Sequence, residues 1–127
     1  MEKTKTFEQL VVWQSAHAFT LKIYKETEAF PKTEMFGLTS QFRRASVSIA
    51  ANIAEGYKRL GKPDKLRFFN ISQGSLEECR YYLILARDLT YFNLETFNSL
   101  SEVLNQTSTL LNAYCLAISN SQKNLVL

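Results

Sequence analysis

The sequence predicts an all-α protein folded as an antiparallel up-down-up-down four-helix bundle, with residues 1–127 forming one domain. Only four glycines and two prolines occur in 127 residues, whereas β folds with many turns depend on both residue types. Apolar residues recur at steps of three and four along four long segments, as on one face of a helix. The short breaks between these segments force neighbouring helices to run antiparallel.

The first helix is predicted over about residues 7–29. Thr6 is a natural N-cap, and Gln9 follows it at the spacing of a capping box. The dipeptide Phe30-Pro31 ends the helix, because a residue before proline avoids helical backbone angles. Its inner face is formed by Val12, Trp13, Ala16, Phe19 and Ile23.

The second helix is predicted over about residues 34–59, with Thr33 as its cap and Gly61 as the break after it. Small residues recur at every fourth position beside its apolar face. Such a row lets a neighbouring helix approach closely. The row consists of Ser46, Ala50 and Ala54.

The third and fourth helices are predicted over about residues 63–90 and 94–120. Pro63 suits a first helical position, and Asn93 is a natural cap for the fourth helix. Gly74 lies in the middle of the third helix, where glycine costs about 1 kcal/mol relative to alanine. We therefore expect close helix packing at Gly74.

Several function classes have no support in the sequence. No apolar run approaches the roughly 18 residues of a membrane span, and the N-terminus lacks the apolar region of a signal peptide. We therefore expect a cytoplasmic protein without a membrane partner.

Its two cysteines, Cys79 and Cys115, are expected to be free thiols, because their positions differ by about 15 Å along a regular hairpin and a disulfide needs Cα atoms within about 7 Å.

No catalytic, metal or cofactor site is predicted. The only histidine, His17, has no partners at catalytic or metal-binding spacing, and neither Cys-x-x-Cys nor His-Glu-x-x-His occurs. The four glycines are scattered singly, so no glycine-rich phosphate loop is present. The sequence therefore predicts a protein that is not an enzyme.

A recognisable pattern runs through the second and third helices. The strings Gly-Leu-Thr-Ser-Gln-Phe-Arg-Arg-Ala (37–45), Ser-Ile-Ala-Ala-Asn-Ile-Ala-Glu-Gly (48–56) and Gly-Ser-Leu-Glu-Glu (74–78) follow Phe30-Pro31. With them the chain, over about residues 7–116, resembles the four-helix-bundle family encoded in intervening sequences of bacterial 23S ribosomal RNA genes. The motif residues of the most specific string are Asn52, Glu55 and Gly56.

The resemblance implies a ring-shaped homopentamer. It also implies kinship with the accessory variability protein of diversity-generating retroelements, a strongly basic protein that binds reverse transcriptase and nucleic acid. This chain is only mildly basic, with a formal net charge of +3.

Positive charge is concentrated near the predicted turn between the second and third helices. Five cations and Asp64 leave a net charge of +4 within ten residues at one end of the bundle. The cluster is either a phosphate-binding surface for RNA or single-stranded DNA or a solvated turn. Its cations are Lys58, Arg59, Lys62, Lys65 and Arg67.

A second charged group lies near mid-bundle. Arg43 and Arg44 precede residue 60 by about 17 positions, and Glu77 and Glu78 follow it by about 17. All four should lie at one level, so an ion pair between helices is at least as well supported as a phosphate contact. A polar strip through this region is either a binding strip or a bundle-edge or subunit contact; it comprises Arg44, Ser48, Asn52, Glu55 and Arg59.

Two functional hypotheses remain. The first is a homo-oligomeric scaffold or protein-interaction module. Aromatic residues make up 13% of the chain, more than one narrow core needs, and tyrosine and phenylalanine are enriched at interfaces; the surplus is attributed to Tyr81, Tyr82, Tyr91 and Tyr114. The second hypothesis is a nucleic-acid-binding module that uses the basic turn.

Overall fold

The computed structural model describes the backbone of residues 4–125 and the side chains of residues 4–121. Within that part of the chain the structure is all α and contains no strand. The four helices are α1 (Val11–Glu26), α2 (Leu38–Lys58), α3 (Lys62–Asp88) and α4 (Leu94–Leu125). Single turns of 3₁₀-helix occur at Phe7–Gln9, Thr27–Ala29 and Lys32–Glu34.

The helices form the predicted antiparallel bundle. Each helix packs against its neighbours in the chain, and α1 also packs against α4, which closes a four-sided arrangement. Because α1 and α3 occupy diagonally opposite corners, they point in the same direction along the bundle axis.

Two predicted helix starts are wrong, because local caps act later in the sequence. Leu10 has extended backbone angles (φ −75°, ψ 126°), so α1 begins at Val11, and Thr6 makes no side-chain capping bond. Gly37 precedes α2, and the Glu34 carboxylate accepts a hydrogen bond from the Leu38 N–H at 3.1 Å. Glu34 therefore takes the capping role predicted for Thr33.

The predicted helix ends also shift. The segment before Phe30 tightens into 3₁₀ geometry, so α1 ends at Glu26 rather than near 29, and α4 continues to Leu125. The cap at Asn93 is confirmed, since its Oδ1 accepts a hydrogen bond from the Thr96 N–H at 2.8 Å.

The tightest helix contact lies between α2 and α3. A Cβ atom at Gly56 would lie 2.6 Å from Phe69 Cε1 and 3.1 Å from Phe68 Cβ, so only glycine fits there without displacement. The Ser72 hydroxyl donates to the Ile49 carbonyl across the same interface at 2.8 Å. The close packing expected at Gly74 is instead found at Gly56, whereas Gly74 is exposed and its Cβ position has no atom within 4 Å.

Glu34 joins the two connections at the opposite end of the bundle from the basic turn. Its Oε2 accepts a hydrogen bond from the Tyr91 hydroxyl at 2.8 Å, while its other oxygen caps α2. The backbone N–H of Leu38, followed by the Tyr91 hydroxyl, lowers the pKa of Glu34 below its ordinary value of 4.5. The carboxylate is therefore the form that stabilises the fold.

Acidification should remove this contribution. A lowered folded-state pKa gives stability that is present above about pH 4.5 and is lost as the pH falls through the folded-state value. Glu34→Gln should therefore lower the urea unfolding midpoint at neutral pH and flatten its decline in acid. The matched control is Glu28→Gln, because Glu28 is exposed and has no side-chain hydrogen bond in the described structure. Parallel curves for the native protein and Glu34→Gln would contradict the assignment.

Candidate interaction surfaces

The two arginines of the basic turn are held by carboxylates and by one aromatic ring. Arg59 pairs with Glu55 at 2.9 Å and lies 3.7 Å from Asp64, which also pairs with Arg67 at 2.8 Å. Both guanidinium carbons lie over the Phe68 ring, 4.6 and 4.4 Å from its centroid. The carboxylates therefore neutralise part of the positive charge predicted for the end of the bundle at the turn between α2 and α3.

The lysines of the basic turn divide into structural and free groups. Lys65 Nζ donates to the Gly56 and Tyr57 carbonyls at 2.9 and 2.6 Å, which caps the end of α2, and partial burial lowers the pKa of Lys65. Lys62 Nζ donates to the Ser119 carbonyl on α4 at 2.8 Å. Lys58 is exposed and forms no side-chain hydrogen bond or ion pair with any described residue.

Within the described residues, no salt bridge joins Arg43 or Arg44 to Glu77 or Glu78, although the sequence had predicted one. The predicted level is nevertheless supported, because Arg44 and Glu78 line the same shallow groove between α2 and α3. Arg43 and Glu77 have other partners, and the Glu78 carboxylate accepts a hydrogen bond from the Tyr82 hydroxyl at 3.4 Å.

Arg43 is directed towards α1. It donates to Thr27 Oγ1 at 2.9 Å and to the Tyr24 carbonyl at 3.2 Å, and it lies over the Tyr24 ring. Glu77 pairs with Arg80 one turn along α3 at 3.0 Å. Arg43 is therefore a link between α1 and α2 that the sequence did not predict.

The family-motif residues lie on α2, and one of them, Gly56, meets α3 directly. Asn52 Nδ2 donates to the Ser48 carbonyl at 2.8 Å and to the Ser48 hydroxyl at 3.0 Å, and the Ser75 hydroxyl reaches Ser48 Oγ at 2.7 Å. Glu55 turns to Arg59, and Gly56 admits the Phe69 ring. Gly56 therefore serves the packing of α2 against α3, whereas Asn52 and Glu55 bond to residues of their own helix.

The cysteines and the histidine show no features of a reactive site. Cys79 is buried and Cys115 half-buried, both are free thiols, and burial raises the pKa of each. His17 stacks on Trp13 with ring centroids 4.8 Å apart. Among residues 4–121, no cluster of three His, Cys, Asp or Glu side chains could hold a metal ion, and no described helix is long and apolar enough to cross a membrane.

The outer surface of α3 carries exposed large apolar side chains, of which only Tyr81 is assigned to an interface by the sequence. Tyr81 is 57% exposed, and Ile71 and Ile84 accompany it near the open side of Gly74. The other tyrosines assigned to the surplus are half-buried. The mid-helix glycine and the tyrosine content are the signals in the sequence for this surface, but a mid-helix glycine equally predicts a contact inside the bundle.

A profile of the 23S rRNA-intervening sequence protein family matches residues 8–113. The chain belongs to this family. The match spans α1, α2 and α3 and most of α4, and it includes the Gly56 contact with Phe69.

A solved structure supports the same fold. The chain is similar to a crystal structure at 1.70 Å from Bacteroides thetaiotaomicron, described as a protein with unknown function from the S23 ribosomal protein family. The TM-score is 0.74 at 25% identity, and the alignment covers 83% of this chain and 98% of the other. No curated protein matches the chain.

Proposed function

We propose that this member of the family is a non-enzymatic homo-oligomeric scaffold of the cytoplasm that acts by presenting copies of its bundle to a partner. The outer face of α3 carries this proposal. Gly74 lies in the middle of a 27-residue helix, at a cost of about 1 kcal/mol relative to alanine, and no described contact within the chain requires it.

An external contact supplies a reason for both the glycine and its neighbours. Scattered exposed apolar residues are ordinary, but Ile71, Tyr81 and Ile84 follow one helix around a position without a side chain. A glycine at such a place lets another backbone or a large side chain come close. The resemblance to the pentameric family favours a second copy of the same chain as the partner.

Self-association should be evident from mass. We expect sedimentation velocity at micromolar concentration to show a particle several times the 14.6 kDa of one chain, with about 73 kDa for a pentamer. Because burial of apolar faces drives the contact, the assembly should persist at high salt. A single monomeric species across the micromolar range would contradict the scaffold proposal.

Nucleic-acid binding is the second candidate. Its support is Lys58, which is exposed beside Leu60 at the tip of the turn between α2 and α3, together with the implied kinship to a retroelement accessory protein. The internal partners of the other four cations reduce that support. A ring would nevertheless gather several turns and so gain avidity.

We expect any such binding to be weak, non-specific and salt-dependent, because phosphate contacts release counterions. Lys58→Gln/Arg67→Gln should abolish retention on single-stranded RNA at ~50 mM salt. The variant leaves Lys62 and Lys65 in place, since both donate to helix carbonyls. Lys22→Gln/Lys32→Gln, two exposed lysines elsewhere, is the matched control. No retention of the native protein, or equal retention of both variants, would exclude the basic turn.

A further inference from the structure

Two exposed faces lie on diagonally opposite corners of the bundle. The first, called the α1 face, comprises Val11, Gln14, Ala18, Leu21 and Lys25; the second, called the α3 face, comprises Asn70, Gly74, Glu77, Tyr81, Ile84 and Asp88. Every member is exposed, and in both faces the residues recur at alternating steps of three and four, which places them on one side of a helix. Within the chain, Gln14 donates to the Glu8 carbonyl at 2.9 Å, and Glu77 and Asp88 pair with Arg80 and Arg87 on α3.

We infer that the α1 face of one copy packs against the α3 face of the next copy, as parallel helices at the same height. This inference rests on the scaffold proposal and specifies the surface through which the copies join. Two different patches make a head-to-tail contact, which closes into a ring when the rotation allows.

Hydrogen bonds across the bundle show which residues share a height. On one side, Ser15 bonds Thr107 at 2.6 Å, and Asn112 and Asn105 bond Gln73 and Arg80. These pairs place Ser15 level with about residue 78 of α3. A residue of α1 therefore lies at the same height as the α3 residue whose number is about 63 higher, and we call this difference the offset.

The other side of the bundle gives an offset that is about six positions smaller, or about 9 Å along a helix. Thr20 donates to the Ser46 carbonyl at 3.0 Å, and Ser48 bonds Ser75 at 2.7 Å. These bonds place Thr20 level with about residue 77, an offset of about 57. Helices α1 and α3 point in the same direction, so a ring axis along the bundles keeps this offset between copies.

An offset of 63, the value from the α4 side, pairs each of the five α1-face residues with a residue of the α3 face and leaves Asn70 unmatched. Large meets small twice, since Val11 falls opposite Gly74 and Tyr81 opposite Ala18. Leu21 then falls opposite Ile84, with 58% and 38% of the two side chains exposed in the single chain. Such alternation lets parallel helices interdigitate.

Oppositely charged residues also face each other at one end of the paired α1 and α3 faces. The same offset places Lys25 opposite Asp88, and Gln14 opposite Glu77. The α1 face carries one positive charge, Lys25, and the α3 face carries two negative charges, Glu77 and Asp88, each of which also pairs with an arginine of α3. Opposite charges favour this register and disfavour pairing of either face with itself.

Gly74→Gln tests the contact without a clash inside the chain. No atom lies within 4 Å of a Cβ at Gly74, and glutamine is a better helix former than glycine, so the bundle should remain folded. The added side chain should instead displace Val11 of the next copy. We expect Gly74→Gln and Leu21→Asp each to raise the midpoint concentration of assembly by roughly tenfold or more, as measured by sedimentation velocity.

A charge reversal tests the register. Lys25→Glu and Asp88→Lys should each weaken assembly, and the double variant should recover part of the loss because the pair is re-formed in reverse. The matched control is Leu116→Ser, which alters a leucine 62% exposed on α4 and should leave assembly unchanged.

Failure of the proposed interface and failure of the scaffold proposal give different experimental results. A native protein that is monomeric defeats both. A native oligomer that all four variants leave intact overturns only the pairing of the α1 and α3 faces. Loss of assembly in Phe36→Ser or Leu60→Ser, with the four variants unaffected, would place the contact at the bundle ends, where these side chains are 93% and 101% exposed.

Discussion

Phe69→Ala should lower the free energy of unfolding by about 3–5 kcal/mol, the range for a buried phenylalanine cut to alanine. Phe69 is fully buried on α3. Its ring fills the space that Gly56 leaves on α2 and meets Tyr114 of α4 edge-on, with centroids 5.1 Å apart. The substitution therefore opens a cavity where three helices meet, and such a loss is a large part of the roughly 5–15 kcal/mol that holds a domain folded.

Urea unfolding followed by circular dichroism measures this effect. Phe36→Ala is the control, because the Phe36 side chain is 93% exposed and its removal should change stability by less than about 0.5 kcal/mol. Similar losses in the two variants would show that the ring of Phe69 does not occupy the described position.

Alanine at the two helical glycines should shift stability in opposite directions. In helix interiors the exchange gains about 1 kcal/mol from propensity. At Gly74 nothing within the isolated bundle opposes that gain, because the added Cβ has no atom of the same chain within 4 Å. At Gly56 the Cβ would lie 2.6 and 2.9 Å from two Phe69 ring atoms, and overpacking of this kind costs about 1–3 kcal/mol.

We therefore expect Gly74→Ala to raise the free energy of unfolding by about 1 kcal/mol and Gly56→Ala to lower it by up to about 2 kcal/mol. Each glycine serves as the control for the other, since the chemical change is identical. Combining Gly56→Ala with Phe69→Leu should recover part of the loss, because the smaller side chain gives way. A gain of stability at both glycines would contradict the close contact between α2 and α3.

Substitutions at these two glycines also distinguish effects on folding from effects on assembly. Gly56 lies in the family motif and admits a ring from the same chain, so its substitution should be felt in the isolated bundle. Gly74 is open in the isolated bundle, so the proposed effect of a large side chain there depends on a second copy. Stability and mass measured on the same two variants therefore address the two roles independently.

The sequence alone determined the fold class, the number of helices and their order. Periodic apolar residues predict amphipathic helices, and short breaks require antiparallel neighbours; both signals are local in the chain. The free cysteines followed from the same helix geometry, and the cap at Asn93 followed from residue type and spacing. The basic turn was also visible, since it is a contiguous run of charge.

Tertiary structure decided which side chains meet. The sequence placed Arg44 and Glu78 at one level but could not show that Arg43 turns to Thr27 and Glu77 to Arg80, because rotation about the helix axis is set by packing. It could not distinguish Gly56 from Gly74, since both interrupt a helix and only the neighbouring helix reveals which one admits a ring. Nor could it divide the basic turn, because Lys65 and Lys62 bind carbonyl oxygens that only folding brings within reach.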